Sequence, residues 1–272
     1  MKYIESLQNS TIKSILKLQE KSRERKKSGF FVIEGKREVS LAIKGRYTIT
    51  ILLFCDDFIA ENELNNYATT ETEIISVSKE VYQKIAYRNS TEGIIALAKT
   101  KDFSLENIQF STSTPLILIA EAPEKPGNIG ALLRTADAAN LDAVFIANPK
   151  TDMYNPNIIR SSVGGLFTNQ IATGTSEEII AFLSENNINS FATTLQNSND
   201  YHNEDYTNAT AIIVGTEDAG LSEAFRMAAT QNINLPKQGD IDSLNDYVAA
   251  AITLLDSKRQ RNFIDKKMDS NI

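Results

Sequence analysis

The sequence predicts an α/β protein arranged as two successive layered units. Short apolar, β-branched runs alternate with segments of helical periodicity along most of the 272 residues, and such alternation builds sheets covered by helices. The alternation pauses once, at Phe103–Thr114. There Ser111-Thr112-Ser113-Thr114 gathers small polar residues ahead of Pro115, a boundary signal.

In the first unit, Asn9–Leu18 carries Ile12, Ile15 and Leu16 at helical spacing. Phe30–Ile33 is a short apolar strand, Gly35–Ile43 a helix and Thr48–Phe54 a β-branched strand. Asp57–Tyr67 has a helical pattern, Glu73–Val77 is a strand, Lys79–Tyr87 a helix and Gly93–Leu97 a strand.

The second unit opens with Leu116–Glu121, a strand of the buried type, followed by the Pro- and Gly-rich loop Pro123–Gly127. Helices are expected at Ile129–Ala139, Pro156–Ser162 and Glu177–Asn186, and a long one from about Leu244 to Phe263. Strands are expected at Ala143–Ala147, Asn169–Ala172, Ser190–Leu195, Ala211–Gly215 and Asn232–Leu235. No repeat of solenoid period and no low-complexity tract interrupts the series.

Composition narrows the chemistry. A single cysteine, Cys55, forms no intramolecular disulfide and suits a reducing compartment. Met1–Ser10 is polar, without the apolar core of a signal peptide. No apolar run approaches the ~20 residues of a membrane helix, so a soluble, cytoplasmic protein is expected. One histidine and one cysteine cannot assemble a soft-ligand metal site, and no bound metal is expected. A histidine-dependent nucleophile would need His202, which lies in the Asn- and Asp-dense stretch Asn197–Asn208 and reads as a surface residue in a loop.

The net charge of -7 at first argues against nucleic acid. Its distribution reverses the argument. Residues 1–46 hold 12 Lys and Arg against 5 Asp and Glu, and the rest hold 16 against 30. A basic end on an acidic body points to a polyanion-facing surface. The densest run, Lys21-Ser22-Arg23-Glu24-Arg25-Lys26-Lys27, is either a solvated helix end or a phosphate contact, and the second predicts salt-sensitive affinity.

Three loops of the second unit each follow an apolar strand. In an open parallel sheet, ligands bind beyond the carboxyl ends of the strands. The first loop runs from Glu121 through Asn128 to Arg134-Thr135-Ala136; on spacing alone, Asn128 is a helix N-cap and Arg134 a solvent-facing helical arginine. The second is Gly215-Thr216-Glu217-Asp218-Ala219-Gly220-Leu221. Its glycines let backbone approach a ligand, or simply make a tight turn; it is neither a dinucleotide fingerprint nor a P-loop. The third is Leu235-Pro236-Lys237 through Ser243-Leu244-Asn245, where Ser243 or Asn245 would also cap the last helix. The alanines after it imply close packing, by dimerisation or by a tight internal crossing.

In this order the three loops resemble the SpoU/TrmH-type RNA ribose 2′-O-methyltransferases of the SPOUT superfamily. Asn128-Ile129-Gly130-Ala131-Leu132-Leu133-Arg134-Thr135-Ala136 matches the first motif, Gly215 to Leu221 the second, and Ser243-Leu244-Asn245 with Val248-Ala249-Ala250-Ala251-Ile252 the third. Phe30-Phe31-Val32-Ile33-Glu34-Gly35 resembles the start of the family's ribosomal-protein-like substrate-binding domain, so the resemblance spans nearly the whole chain.

The resemblance implies a smaller RNA-binding α/β domain at residues 1–103, a linker at 104–114, and at 115–272 a parallel sheet tied into a deep trefoil knot. It implies a homodimer that uses S-adenosyl-L-methionine to methylate a ribose 2′-hydroxyl, of rRNA more than tRNA. Asn128, Arg134, Glu217, Ser243 and Asn245 would be the catalytic set. Thr194, Leu195, Gly215, Thr216, Glu217, Gly220, Ile233, Leu235, Pro236, Ser243 and Leu244 would hold the cofactor. An arginine does not deprotonate in proteins, so Arg134 is expected to hold a phosphate or the developing alkoxide. Lys237 stands where the family usually has an apolar residue, and Asp246-Tyr247 where it has a small pair. The alternatives are a tRNA ribose methyltransferase and a catalytically silent RNA-binding protein of the same fold.

Overall fold

The computed structural model describes residues 2–87, 92–216, 220–236 and 246–263. The chain forms two units, Met1–Lys101 with Thr151–Thr168, and Asp102–Lys150 with Asn169–Ile272.

In the first unit the elements are β1 (Lys2–Ile4), α1 (Ser10–Glu20), α2 (Ser22–Ser28), β2 (Phe30–Glu34), α3 (Lys36–Lys44), β3 (Ile49–Phe54), β4 (Glu73–Val77), α4 (Lys79–Ile85) and β5 (Ile94–Lys99). The strands pair in the order β1-β4-β3-β5-β2. β1, β4 and β3 run parallel, and β5 is antiparallel to β3 and β2. Asn9 caps α1 through Thr11 N–H, and Ser78 caps α4 through Val81 N–H. Ile12, Ile15 and Leu18 give α1 a buried stripe packed on Ile75, Val77 and Ile95 of the sheet. The helix expected at Asp57–Tyr67 is only a 3-10 turn, Glu61–Asn66. Within that turn Leu64 alone is buried, which leaves a longer helix without an apolar face. Three-residue β1 lies outside the expected elements, being too short to show a period.

The second unit begins with β6 (Leu116–Glu121), α5 (Pro126–Ala138) and β7 (Ala143–Ala147). The segment Thr151–Thr168, with α6 (Pro156–Ser161) and α7 (Gly165–Thr168), belongs to the first unit. Its Tyr154 and Phe167 join Phe31 and Tyr47 in an aromatic cluster, with Phe31 and Tyr154 ring centroids 4.2 Å apart. The chain then continues the second unit with β8 (Ile171–Gly174), α8 (Ser176–Glu185), β9 (Asn189–Thr193), β10 (Asn199–Asp200), β11 (Thr210–Val214), α9 (Glu223–Ala228), β12 (Gln231–Asn234) and α10 (Asp246–Gln260). The strands form one sheet, β10-β12-β9-β11-β6-β7-β8, with neighbouring strands parallel throughout.

Every residue of β6, β7 and β11 is buried, as strands of a parallel sheet covered by helices must be. Ile117, Ile119, Phe145, Ile213 and Phe225 anchor the core. Leu105, Ile108 and Phe110 of the expected linker pack against this core, and Phe103 O accepts the Thr173 N–H at 2.7 Å. On α10 the small residues face inward: Ala249, Ala250, Thr253 and Ser257 are buried, so the alanine run permits an internal crossing. No helix among the described residues is long and apolar enough to cross a membrane.

Candidate functional site

A parallel sheet places all its strand carboxyl ends on one side. β12, β9, β11 and β6 are consecutive neighbours, so the chain leaving each of them starts from the same edge of the sheet. The three motif loops follow β6, β11 and β12, and Thr194-Leu195 follows β9. Sequence motifs scattered over more than 100 residues thus begin side by side.

After β6, the helix starts earlier than expected. Pro126 occupies the first helical position of α5, Lys125 is the cap residue, and no side chain caps it. The fixed φ of proline suits that position. Asn128 is therefore not an N-cap but a half-buried residue inside the first turn. Arg134 lies on the exposed face of the same helix, while Ile129, Leu132, Leu133 and Ala136 are buried.

After β11 the backbone folds back on itself. Thr216 N–H donates to Gly220 O at 3.2 Å and Gly220 N–H to Thr216 O at 2.9 Å. A Cβ on Gly215 would collide with the backbone of Gly220 and Leu221, so only glycine allows this closure. Gly220 takes the left-handed φ of +64° that its lack of a side chain makes inexpensive.

After β9, Thr194 N–H donates to Ile233 O at 2.9 Å, which joins this loop to β12. The Ile233 side chain is fully buried, Leu235 is half-buried, and Pro236 is exposed. Leu195 is 70% exposed, a large apolar surface left in solvent at the same sheet edge. Glu217, Lys237, Ser243, Leu244 and Asn245 lie outside the described residues, as does the side chain of Asp246.

Sequence reasoning passed over Glu121, the last residue of β6. It is 5% exposed, and its carboxylate accepts hydrogen bonds from Ser176 and Ser222. One signal was available: an acidic residue ending a wholly apolar run. Its partners are far away in sequence, so the signal had no reading without the fold.

The basic N-terminal run forms α2 with Lys21 as its cap residue. Lys21, Arg23, Lys26 and Lys27 are exposed, whereas Arg25 turns inward and is 3% exposed. Four cations of the run, not five, face solvent.

Residues 115–255 match the SpoU rRNA Methylase family, and residues 9–96 match the MRM3-like substrate binding domain. The chain is 31% identical to the 23S rRNA (guanosine(2553)-2'-O)-methyltransferase RlmP of Bacillus subtilis (strain 168), over 93% of this chain and 97% of the relative. Among solved structures it is similar to an RNA 2'-O ribose methyltransferase, with 34% identity, a TM-score of 0.81, and coverage of 96% of this chain and 99% of the other. It is also similar to the SpoU methyltransferase AviRb from Streptomyces viridochromogenes in complex with the cofactor AdoMet. There the identity is 26%, the TM-score 0.84, and coverage 94% and 99%. With its C-terminal half matched to the family and a relative of this identity aligned almost end to end, the chain belongs to the SpoU rRNA methylase family.

Proposed function

We propose that this protein is an S-adenosylmethionine-dependent methyltransferase acting on a ribose 2′-hydroxyl of ribosomal RNA. The observation that carries the reading is the shared sheet edge from which the loops bearing the three family motifs emerge. The similarity to a 23S rRNA 2'-O-methyltransferase supports the substrate class, and the similarity to an AdoMet complex supports the cofactor.

The residues at this edge fit that cofactor. Gly215 lets the backbone of Gly220 and Leu221 close directly against it, which fixes the loop after β11 at this edge. Leu195 offers apolar surface for an adenine, with half-buried Thr194 and Thr216 as polar neighbours in the loops. We assign Thr194, Leu195, Gly215, Thr216, Gly220, Leu235 and Pro236 to cofactor binding, with Ile233 bracing Thr194 through its carbonyl. Glu217, Ser243 and Leu244 complete the assignment from the family motifs.

When bound, S-adenosylmethionine supplies a methyl carbon on a sulfonium, which is a good leaving group. The ribose hydroxyl is the weak partner and needs to be held in line and relieved of its proton. An arginine retains its proton at working pH, so Arg134 acts by holding a phosphate or the developing alkoxide. Asn128, less than two turns away on α5, orients the ribose and the arginine together with Ser243 and Asn245, and Glu217 pairs with Arg134 or Asn128 to hold that geometry.

Residues 1–103 then serve as the RNA-binding domain, 104–114 as the linker and 115–272 as the methyltransferase domain, apart from Thr151–Thr168, which is part of the first unit. Exposed Lys21, Arg23, Lys26 and Lys27 support the first assignment. The insertion of β12 between β9 and β10, followed by α10 packing on β11 and α5, supports the trefoil-knotted path. Val248, Ile252 and Leu255, exposed at helical spacing on α10, support a homodimer. The lone cysteine supports a cytoplasmic location.

The test is nucleoside mass spectrometry on separated ribosomal and transfer RNA, from cells with and without the gene. Loss of one 2′-O-methylnucleoside from ribosomal RNA, restored by the intact gene but not by Arg134→Ala, is the expected result. A change confined to transfer RNA would move the substrate class. No change in either would favour a catalytically silent RNA-binding protein.

A further inference from the structure

A carboxylate as buried as Glu121 is tolerated when donors meet both of its oxygens. Oε1 accepts the Ser176 hydroxyl at 2.7 Å, and Oε2 accepts the Ser222 backbone N–H at 2.8 Å. The Ser176 hydroxyl in turn accepts from Asn148 Nδ2 at 2.8 Å, and the Asn148 N–H donates to Gly174 O at 2.8 Å. Glu121 thus joins the end of β6 to the heads of α8 and α9, and Asn148 continues the network from Ser176 to the ends of β7 and β8.

The bond to Ser222 is the informative one. Ser222 caps α9, its Oγ accepting from Phe225 N–H at 3.4 Å. In a complete capping box, a Glu or Gln three residues after the cap returns a bond to the cap's own N–H. Glu178 does this for Thr175 at the head of α8. In α9 that position is Phe225, which has no side-chain acceptor. Glu121, 101 residues earlier in the chain, supplies the missing half.

A local capping box would secure only the helix. This one also ties the helix to the end of β6. Ser222 lies two residues after Gly220, which is bridged to Thr216, and the chain after Glu121 leads into α5 with Asn128 and Arg134. The carboxylate is therefore a direct link between the root of the loop assigned to the reacting ribose and the far end of the loop assigned to the cofactor.

We propose that Glu121 is a positioning residue for methyl transfer, holding the Thr216–Gly220 bridge in the register with α5 that cofactor binding requires. The inference rests on the methyltransferase reading above. The variants are Glu121→Ala, Glu121→Gln and Glu121→Asp. Glutamine keeps the reach of glutamate and can still accept from Ser222, because the Ser176 hydroxyl can rotate to accept from the new amide. Aspartate keeps the charge and loses the reach.

Two readouts are taken on the full chain: backbone amide hydrogen exchange at Ser222 and Gly220, and calorimetric affinity for S-adenosylhomocysteine. Loss of a charge-assisted bond predicts about tenfold faster exchange and about tenfold weaker binding in Glu121→Ala, with circular dichroism unchanged. Glu121→Gln should stay within about threefold of the natural chain in both. Should Glu121→Ala fail to fold, Glu121→Asp takes its place, with the same losses expected. Unchanged exchange and affinity in the truncated variants would overturn the proposal, as would Gln being worse than Asp. If the natural chain binds no S-adenosylhomocysteine, the methyltransferase reading fails instead. The exchange contrast then decides whether Glu121 holds the turn.

Discussion

Arg25 and Asp152, 127 residues apart, form a two-pronged ion pair inside the first unit. Nε meets Oδ1 at 2.9 Å and Nη2 meets Oδ2 at 2.7 Å, with the side chains 4% and 9% exposed. The remaining guanidinium nitrogen, Nη1, donates to Leu18 O at 2.5 Å and Gln19 O at 3.2 Å. An arginine in the middle of a cationic run is thus the tie between α2, the end of α1 and the Thr151–Thr168 segment.

Removing one partner of such a pair leaves a buried charge without its counterion. Arg25→Ala should lower stability by about 3–5 kcal/mol, read from the midpoint of urea denaturation. Arg25→Lys cannot reproduce the two-pronged geometry and should fall between. A natural midpoint in Arg25→Ala would show that the pair contributes nothing.

The same pair sets an acid limit. Burial alone would raise the Asp152 pKa, but hydrogen bonds from Arg25 and Ser22 and the charges of Arg25 and Lys26 together lower it. Its stabilisation is complete above the unfolded carboxyl value of about 3.9 and is lost as pH falls through the lower folded value. Urea midpoints measured from neutral pH downward should therefore drop below about pH 4 in the natural chain. Asp152→Asn, less stable at neutral pH, should lose less over that interval.

An alkaline limit comes from Tyr47. Burial pushes its phenol up to about 12, and a hydrogen bond with Tyr154 only partly opposes this. The buried phenol stays neutral while the unfolded one ionises near about 10. Its stabilisation is whole below that value and disappears as pH rises through the folded one. Tyr47→Phe should show a shallower loss of thermal stability over this interval than the natural chain. Parallel curves would contradict the assignment.

At the sheet edge, Gly215→Ala drives a methyl group into the backbone of Gly220 and Leu221. Opening the turn should cost about 1–3 kcal/mol, appearing as roughly tenfold or greater loss of S-adenosylhomocysteine affinity. Gly127→Ala is the matched control, since nothing lies within 4 Å of a Cβ there. Equal effects at both positions would remove the steric explanation.

The exposed part of α2 predicts salt behaviour. Replacing Lys21, Lys26 and Lys27 by alanine should weaken RNA binding and flatten its dependence on salt. The log–log slope should fall by roughly 0.7–0.9 for each phosphate no longer neutralised. Filter binding across a salt series measures this. An unchanged slope would mean that these lysines are solvated and touch no phosphate.

Local physics was legible in the residues themselves. Leu116–Glu121 and Ala143–Ala147 could be delimited to the residue because a nearly continuous apolar run has one extended, buried solution, and Glu73–Val77 because its β-branched residues stand between polar flanks. The order and spacing of the motif residues, with Gly215 among them, likewise stood in the sequence. Tertiary structure decided everything that depends on partners distant along the chain. Three-residue β1 exists because β4 offers it a parallel edge. Asn128 moved from cap to helix interior because Pro126 starts α5 earlier than the apolar period begins. Arg25 became an internal residue because Asp152 returns to meet it, and Glu121 became a helix cap because Ser222 arrives beside it. A charged side chain shows its type in a sequence, but the donor or acceptor that makes its burial tolerable is chosen only when the chain closes on itself.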